Sequence, residues 1–426
     1  SPEHLLKKPF ANDSNSLNKE FYNELLHIIG LEETKDSAKK LIERKELKHR
    51  DEGSLLENTI NILQREKRFG YDDDIETQHK YFELALELCI TWLNRILFLK
   101  LLEGQLIKYH RGDKSHSFLN TNTVKDFDEL DELFFEVLAV SPDKRSQSVS
   151  DKYGNIPYLN SSLFEHTDAE LNYIFIRDLK GRLEIPIYHT TVFKDDSGKR
   201  ITGKKNTLQY LFEFLEAYDF ASDSSAKIQE QNKNIINAAV LGLIFEKING
   251  YKDGSFFTPG FITMYMCRET IRKAVLQKFN EANNWECKTF DDIEQKLDHT
   301  DKEQRKQANS VINSIKICDP AVGSGHFLVS ALNELIAIKS DLHILNYRDG
   351  NRVKGFKIDI ANDELIITNE EDDQLFDYSL NQNNKPIDEL QKLQETLFHE
   401  KQTIIENCLF GVDINPKSVL ICRLRL

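Results

Sequence analysis

Methionine occurs only as Met264 and Met266, and the chain opens on Ser1. With its last residues, Val419 to Leu426, stopping inside an amphipathic run, the chain reads as a piece of a longer protein. No apolar run reaches the roughly 18 residues that span a bilayer, and no charged-then-apolar leader appears at the start. The membrane and secretory patterns are therefore missing, and the expected compartment is the cytosol. The six cysteines (Cys89, Cys267, Cys287, Cys318, Cys408, Cys422) contain no Cys-x-x-Cys pair. That removes the common zinc and redox spacings and leaves reduced core thiols as the expectation. Positive charge is short as well, with a formal net charge of −14. A grip on DNA by this chain alone would need local basic patches facing phosphates. Two segments offer them: Lys39-Lys40 with Arg44, Lys45, Lys48 and Arg50, and the turn carrying Lys194, Lys199, Arg200, Lys204 and Lys205. Both read more readily as solvated surface.

What is present is enough apolar material, 40% of 426 residues, for two or three domains with real cores. Residues 1–235 read mostly as helices. Phe21, Leu25, Leu26, Ile28 and Ile29 recur at helical spacing before Gly30, and Leu55, Ile60, Ile62 and Leu63 repeat the pattern. The longest helix is expected from about Gln78 to Lys108, with Tyr81, Leu84, Leu88, Trp92, Ile96, Leu99 and Leu102 as its apolar stripe.

The most informative stretch lies later. Ile317-Cys318-Asp319-Pro320-Ala321-Val322-Gly323-Ser324-Gly325-His326-Phe327-Leu328 reads as a strand breaking into a glycine turn that opens a helix. Two glycines one residue apart let the backbone approach a ligand closely, and the first helical amides face whatever sits there. A glycine turn alone is weak evidence, and a dinucleotide site would want a third glycine where Leu328 stands. Two further segments accompany it. Gly254-Ser255-Phe256-Phe257-Thr258-Pro259-Gly260 precedes the loop, with a helix expected to start at Pro259. Asn407-Cys408-Leu409-Phe410-Gly411-Val412-Asp413-Ile414-Asn415-Pro416 follows it as an apolar strand ending in an acid, then a helix from Ser418 to Leu426. An ionised carboxylate in that position can accept from both hydroxyls of a ribose.

These three segments, in this order, resemble DNA adenine methyltransferases of the Eco57I-like, gamma-class group and, with them, Type IIG restriction-modification enzymes. Trp92-Leu93-Asn94-Arg95-Ile96-Leu97-Phe98-Leu99 is similar to the helical connector of those enzymes, and so is Leu397-Phe398-His399-Glu400-Lys401-Gln402 to their approach to the acid. Ile156-Pro157-Tyr158-Leu159-Asn160-Ser161-Ser162-Leu163-Phe164 matches in part, because serines replace two glycines of the family's turn. The resemblance implies an α + α/β chain: a helical connector domain over about 1–235, then the S-adenosylmethionine-binding half of a Rossmann-like methyltransferase sheet over 236–426, with a β-hairpin insertion at about 350–401. Phe257, Thr258 and Pro259 would close over the methionine end of the cofactor. Asp319, Pro320, Ala321, Gly323, Ser324 and Gly325 would form its loop, and Asp413, Ile414 and Asn415 would hold the ribose and flank the adenine.

The implied activity is methyl transfer from S-adenosylmethionine to the exocyclic amino group of adenine in a recognised site of double-stranded DNA. One departure concerns the acid. Asp341 has the usual spacing of roughly 20 residues from the glycine turn. It follows Leu332, Leu335, Ile336 and Ile338, however, which continue a helical pattern, so Asp413 is favoured. A hairpin at Val353–Ile360 and Leu365–Thr368 and a helix over Leu390–Ile405 are expected to fill the insertion. The Asn/Asp-Pro-Pro-Tyr/Phe tetrapeptide that would hold a flipped base is missing. No catalytic residue is assigned. Magnesium is implied only for a nuclease domain outside this chain: the nearest Asp…Glu-x-Lys pattern, Asp36 with Glu43-Arg44-Lys45, falls in a helical pattern where strand ends are wanted. Two rivals stay open. One is a non-catalytic S-adenosylmethionine-binding or assembly module; the other is a nicotinamide oxidoreductase, for which the third glycine and a nearer acid are missing.

Overall fold

A computed structural model describes residues 18–36, 39–69, 74–110, 112–154, 156–159, 162–220, 236, 238–249, 258, 260–361, 364–371, 374–376, 380 and 387–426. They fall into two compact units whose main spans are Leu17–Ser222 and Ala238–Leu426.

The first unit starts with α1 (Lys19–Ile29), where Asn18 caps the Phe21 amide at 2.9 Å and Gly30, at φ +104°, ends the helix in the left-handed region. A Cβ at Gly30 would lie 2.5 Å from Ser54 Oγ, so only glycine fits there. Next come β1 (Leu31–Asp36) and β2 (Lys39–Arg44), an antiparallel pair. This corrects the helical reading of Asp36 and Glu43. Leu31 and Ile42 point inward and are buried, while Glu43 is exposed and accepts from Thr34 Oγ1 at 2.8 Å. With so few apolar residues on one side, the alternation is nearly invisible in the sequence. Glu43 and Lys45 also diverge, because Lys45 Nζ turns inward to His27 Nδ1 at 2.9 Å.

After α2 (Leu55–Arg65), the helix α3 runs over Ile75–Tyr109, 35 residues, with Asp74 capping Thr77 at 2.6 Å. Its stripe from Tyr81 to Leu99 is buried. Arg95, also buried, is bound within this core. Its Nη1 and Nη2 donate to Glu170 at 2.5 and 2.9 Å, its Nε to Leu163 O at 2.7 Å and its Nη2 to Glu165 O at 2.8 Å. The short pair β3 (Glu184–Pro186) and β4 (Lys204–Asn206) leads into α4 (Thr207–Glu216), whose Phe214 stacks on Phe21 at 4.9 Å. Several cations of the two supposed basic patches are occupied within the protein: Arg44 is bidentate on Glu57, Arg50 donates to Lys45 O, Arg200 to Thr191 O, and Lys205 pairs with Glu213.

The second unit contains α5 (Ala238–Asn249), α6 (Gly260–Asn283) and α7 (Lys302–Asn313), then β5 (Ile317–Asp319) and α8 (His326–Asp341). The antiparallel hairpin β6 (Phe356–Ala361) and β7 (Glu364–Asn369) follows, then α9 (Asp388–Cys408), β8 (Leu409–Gly411) and α10 (Pro416–Arg425). Cys267, Ile271, Val275 and Phe279 repeat every fourth residue along α6 and pack in one core with Leu328, Leu332, Leu335 and Ile336 of α8 and Leu393, Leu397 and Ile404 of α9. Across the α6–α8 contact, Thr263 Oγ1 lies 2.8 Å from Ser330 Oγ. Beneath α9, the buried Lys339 ammonium pairs with Glu400 at 2.5 Å. Among the described residues the one parallel strand pair is β5 with β8. Cysteine burial needs a correction: five are buried free thiols but Cys318 is exposed, because its place in the middle of three-residue β5 turns it away from the core that Ile317 contacts. No helix among the described residues is long and apolar enough to cross a membrane.

Candidate functional site

The site grows out of the β5–β8 pair. Ile317, Cys318 and Asp319 stand opposite Leu409, Phe410 and Gly411, so both strands end side by side. Past the last rung the pairing continues through backbone: the Val412 amide donates to Asp319 O and the Val322 amide to Val412 O, each at 2.9 Å. A Cβ on Gly411 would come within 2.8 Å of Val322 Cγ2, so the glycine lets β8 close on the loop.

Asp413 then cross-links the two strand exits. Its Oδ2 accepts from the Gly323 amide at 2.8 Å and its Oδ1 from the Asn415 amide at 2.8 Å. Across the loop, Asp319 Oδ1 accepts from the Ala321 amide at 3.0 Å, and the Gly325 amide closes a turn on Val322 O at 2.8 Å. Gly323 and Gly325 have φ of +51° and +87°, a conformation side chains resist. The structure thus joins Asp319, Ala321, Gly323, Asp413 and Asn415 in one hydrogen-bonded unit. Pro320 and Ala321 are exposed beside it, and Ile414 is 91% exposed.

Ser324 and Gly325 behave differently, being buried against α10. Arg425 Nη1 donates to Ser324 O at 3.0 Å, and a Cβ on Gly325 would lie 2.6 Å from Cys422 Sγ. Thr258 is half-buried, while Phe257 and Pro259 lie outside the described residues. Asp341 is the last residue of α8, and its Oδ2 accepts from Arg272 Nη2 at 2.8 Å. Sequence reasoning missed Arg425, Cys422 and His326. Cys422 was legible only as a core thiol and His326 only as part of the loop phrase, and the one trace of Arg425 was a basic residue in the last turn of a helix, which ordinarily just complements the helix dipole.

His326 opens α8 and is 7% exposed. Burial, and then the charge of Arg425, push its pKa down from 6.5 to about 2, so the imidazole stays neutral. Burial likewise raises the Cys422 thiol to about 11, which makes it inert. Because the unfolded chain takes up a proton below pH 6.5 that the folded one refuses, stability falls as pH drops through that value. Between pH 7 and pH 5 the second unit is expected to lose about 2 kcal/mol from this residue. Urea unfolding followed by Trp285 fluorescence measures it, and His326→Gln flattens the slope; an unchanged slope refutes the assignment. Among the described residues no group of three His, Cys, Asp or Glu side chains could hold a metal ion.

Residues 14–236, just over half of the chain, match the family described as Domain of unknown function (DUF7814). The chain belongs to this family. The match covers the first unit and stops before the glycine loop, so the family description assigns nothing to the site. Over nearly its full length the chain is also similar to a protein of Methanocaldococcus jannaschii described as "Putative type II restriction enzyme and methyltransferase", at 28% identity across 447 aligned residues. That alignment takes in 98% of this chain and 30% of the relative, so the chain spans under a third of the relative's length. Among solved structures, the Type IIL restriction-modification enzyme MmeI in complex with DNA aligns over 86% of this chain and 39% of its own, with a TM-score of 0.37 and 15% identity.

Proposed function

We propose that this chain is the cofactor-binding part of a restriction-modification DNA methyltransferase, cytoplasmic, acting on the exocyclic amine of adenine in double-stranded DNA. The observation that carries the reading is the bond from the Gly323 amide to Asp413, which joins a glycine loop and an acid at the ends of two parallel strands. Similarity to the methanogen protein along almost the whole chain supports it. The two amides leave lone pairs on both Asp413 oxygens, so the carboxylate can also accept from a ribose diol. Asp319 to Gly325 would receive the methionine end, closed over by Phe257, Thr258 and Pro259. Ile414 and Asn415 would flank the adenine, and the remaining strands of a Rossmann-like sheet would complete the pocket. S-adenosylmethionine, when bound, supplies an electrophilic methyl group on sulfur; the protein's part is to hold it in line with the amine.

With only this part of a pocket, the isolated chain is expected to bind S-adenosylmethionine weakly. Titration of the 15N-labelled chain should move the Gly323 and Asn415 amide resonances at high micromolar to millimolar cofactor. Unmoved resonances there would sink the reading, and a submicromolar constant from calorimetry would show the pocket to be complete. Incubated with DNA, tritiated cofactor and magnesium, the chain is expected neither to methylate nor to nick. It contains no Asn/Asp-Pro-Pro-Tyr/Phe tetrapeptide to accept from the adenine amine and stack on a flipped base. Label in adenine from pure chain would reveal a catalytic site elsewhere in it. The same missing tetrapeptide favours the second reading, a cofactor-binding assembly module without catalysis. Methylation by a longer protein carrying this chain separates the two.

A further inference from the structure

We propose that Arg425 is a positioning residue that fixes the Ser324–Gly325 peptide and thereby the shape the glycine loop presents to a ligand; this rests on the cofactor reading above. The peptide between Ser324 and Gly325 has a glycine on one side, at φ +87°, so turning it over meets little steric resistance. Its orientation matters chemically. Turned over, the Ser324 carbonyl would point its negative end away from Arg425 and toward Val322 O, and the Gly325 amide that now donates to Val322 O at 2.8 Å would leave the loop's turn. Arg425, together with the Gly325–Val322 bond, selects against that state. Its Nη1 holds Ser324 O at 3.0 Å and reaches Ser324 Oγ at 3.4 Å, and its Nη2 lies 3.3 Å from His326 Nδ1.

Three surrounding features make the guanidinium a fixed anchor. His326 is buried and neutral, so its Nδ1 can accept while the cation stays beside it. Gly242 of α5 leaves the room: a Cβ there would sit 3.0 Å from the guanidinium Cζ and Nη1. One turn earlier, Cys422 lies against Gly325 and seats the same helix on the same loop. Arginine suits this task better than lysine, because its planar fork bonds two partners in fixed directions.

The test is NMR of the glycine amides in the full 15N-labelled chain with S-adenosylmethionine as the probe. Wild type is expected to give single Gly323 and Gly325 resonances that shift with cofactor. Arg425→Gln should double or broaden them and weaken binding about tenfold, a loss of about 1.4 kcal/mol. Arg425→Lys, which keeps one donor, should fall between. A merely structural role would lower the unfolding midpoint seen by Trp285, yet leave single resonances and wild-type affinity per folded molecule; that result overturns the proposal. If wild type itself shows no cofactor-dependent shift, the cofactor reading is what has failed. Should Arg425→Gln not fold, Arg425→Lys and Gly242→Ala carry the comparison, since the three atoms nearest the added methyl all belong to the Arg425 guanidinium. Wild-type affinity in both overturns the proposal as well.

Discussion

Glu170→Gln is expected to destabilise the first unit by roughly 3–5 kcal/mol, the usual cost of stripping one partner from a buried ion pair. Glu170 and Arg95 are 0% and 1% exposed. Burial alone would raise the Glu170 carboxyl, but the hydrogen bonds and charge of Arg95, helped by Thr167 and Trp92, outweigh it and hold the group below its usual range. Neutral glutamine takes away the counter-charge and leaves the Arg95 cation in the core with uncharged acceptors alone, Leu163 O, Glu165 O and at most the new amide oxygen, and the faces of Phe134 and Phe135 around it. The chain's two tryptophans make the measurement clean, because Trp92 donates to Glu170 at 2.9 Å in the first unit and Trp285 lies in the second. Urea unfolding should therefore move the Trp92 transition and spare the Trp285 one. A loss under about 1 kcal/mol would mean that water or a rearranged neighbour compensates Arg95. Replacing both partners by apolar side chains should recover much of the loss, since such swaps are often near neutral.

Asp413→Ala is expected to weaken S-adenosylmethionine binding about ten- to hundredfold, or roughly 1.5–3 kcal/mol. It removes the charged acceptor proposed for the ribose hydroxyls and, with it, the bonds from the Gly323 and Asn415 amides. Asp341→Ala should leave affinity alone, because that carboxylate is engaged with Arg272 at the end of α8. The initial slopes of the amide shifts against cofactor concentration compare the three proteins. Reversed effects would mean that the acid has been placed on the wrong strand.

Legibility in the sequence followed the strength of local pattern. The stripe from Tyr81 to Leu99 marks α3 because each member lies on one face of a long helix, and the alternation of Phe356, Ile358 and Ile360 marks β6. Charged β1 and β2 gave no such pattern: Glu32, Glu33, Glu43 and Arg44 leave Leu31 and Ile42 as the described inward residues. At the site, loop and acid could each be read as a segment, whereas the Gly323–Asp413 bond joins residues far apart in the chain and had to be seen in space. Arg425 was illegible for the same reason, as its partners, Ser324 and His326, come from the loop and the first residue of α8.

The parallel pairing of β5 with β8 also sets an order of assembly. About 90 residues separate Ile317 from its partner Leu409, and the α8, β6, β7 and α9 segments lie between them. At a synthesis rate of roughly 5–20 residues per second, the edge of β5 waits about 5–18 seconds on the ribosome before β8 exists. The β6–β7 hairpin, closed over a few residues, can form within microseconds. Loop closure over so long a span makes the strand pair, and the glycine turn that Asp413 braces, a late step in folding. During that interval the β5 edge, bare of its β8 partner, is open to pairing with a neighbour or a chaperone.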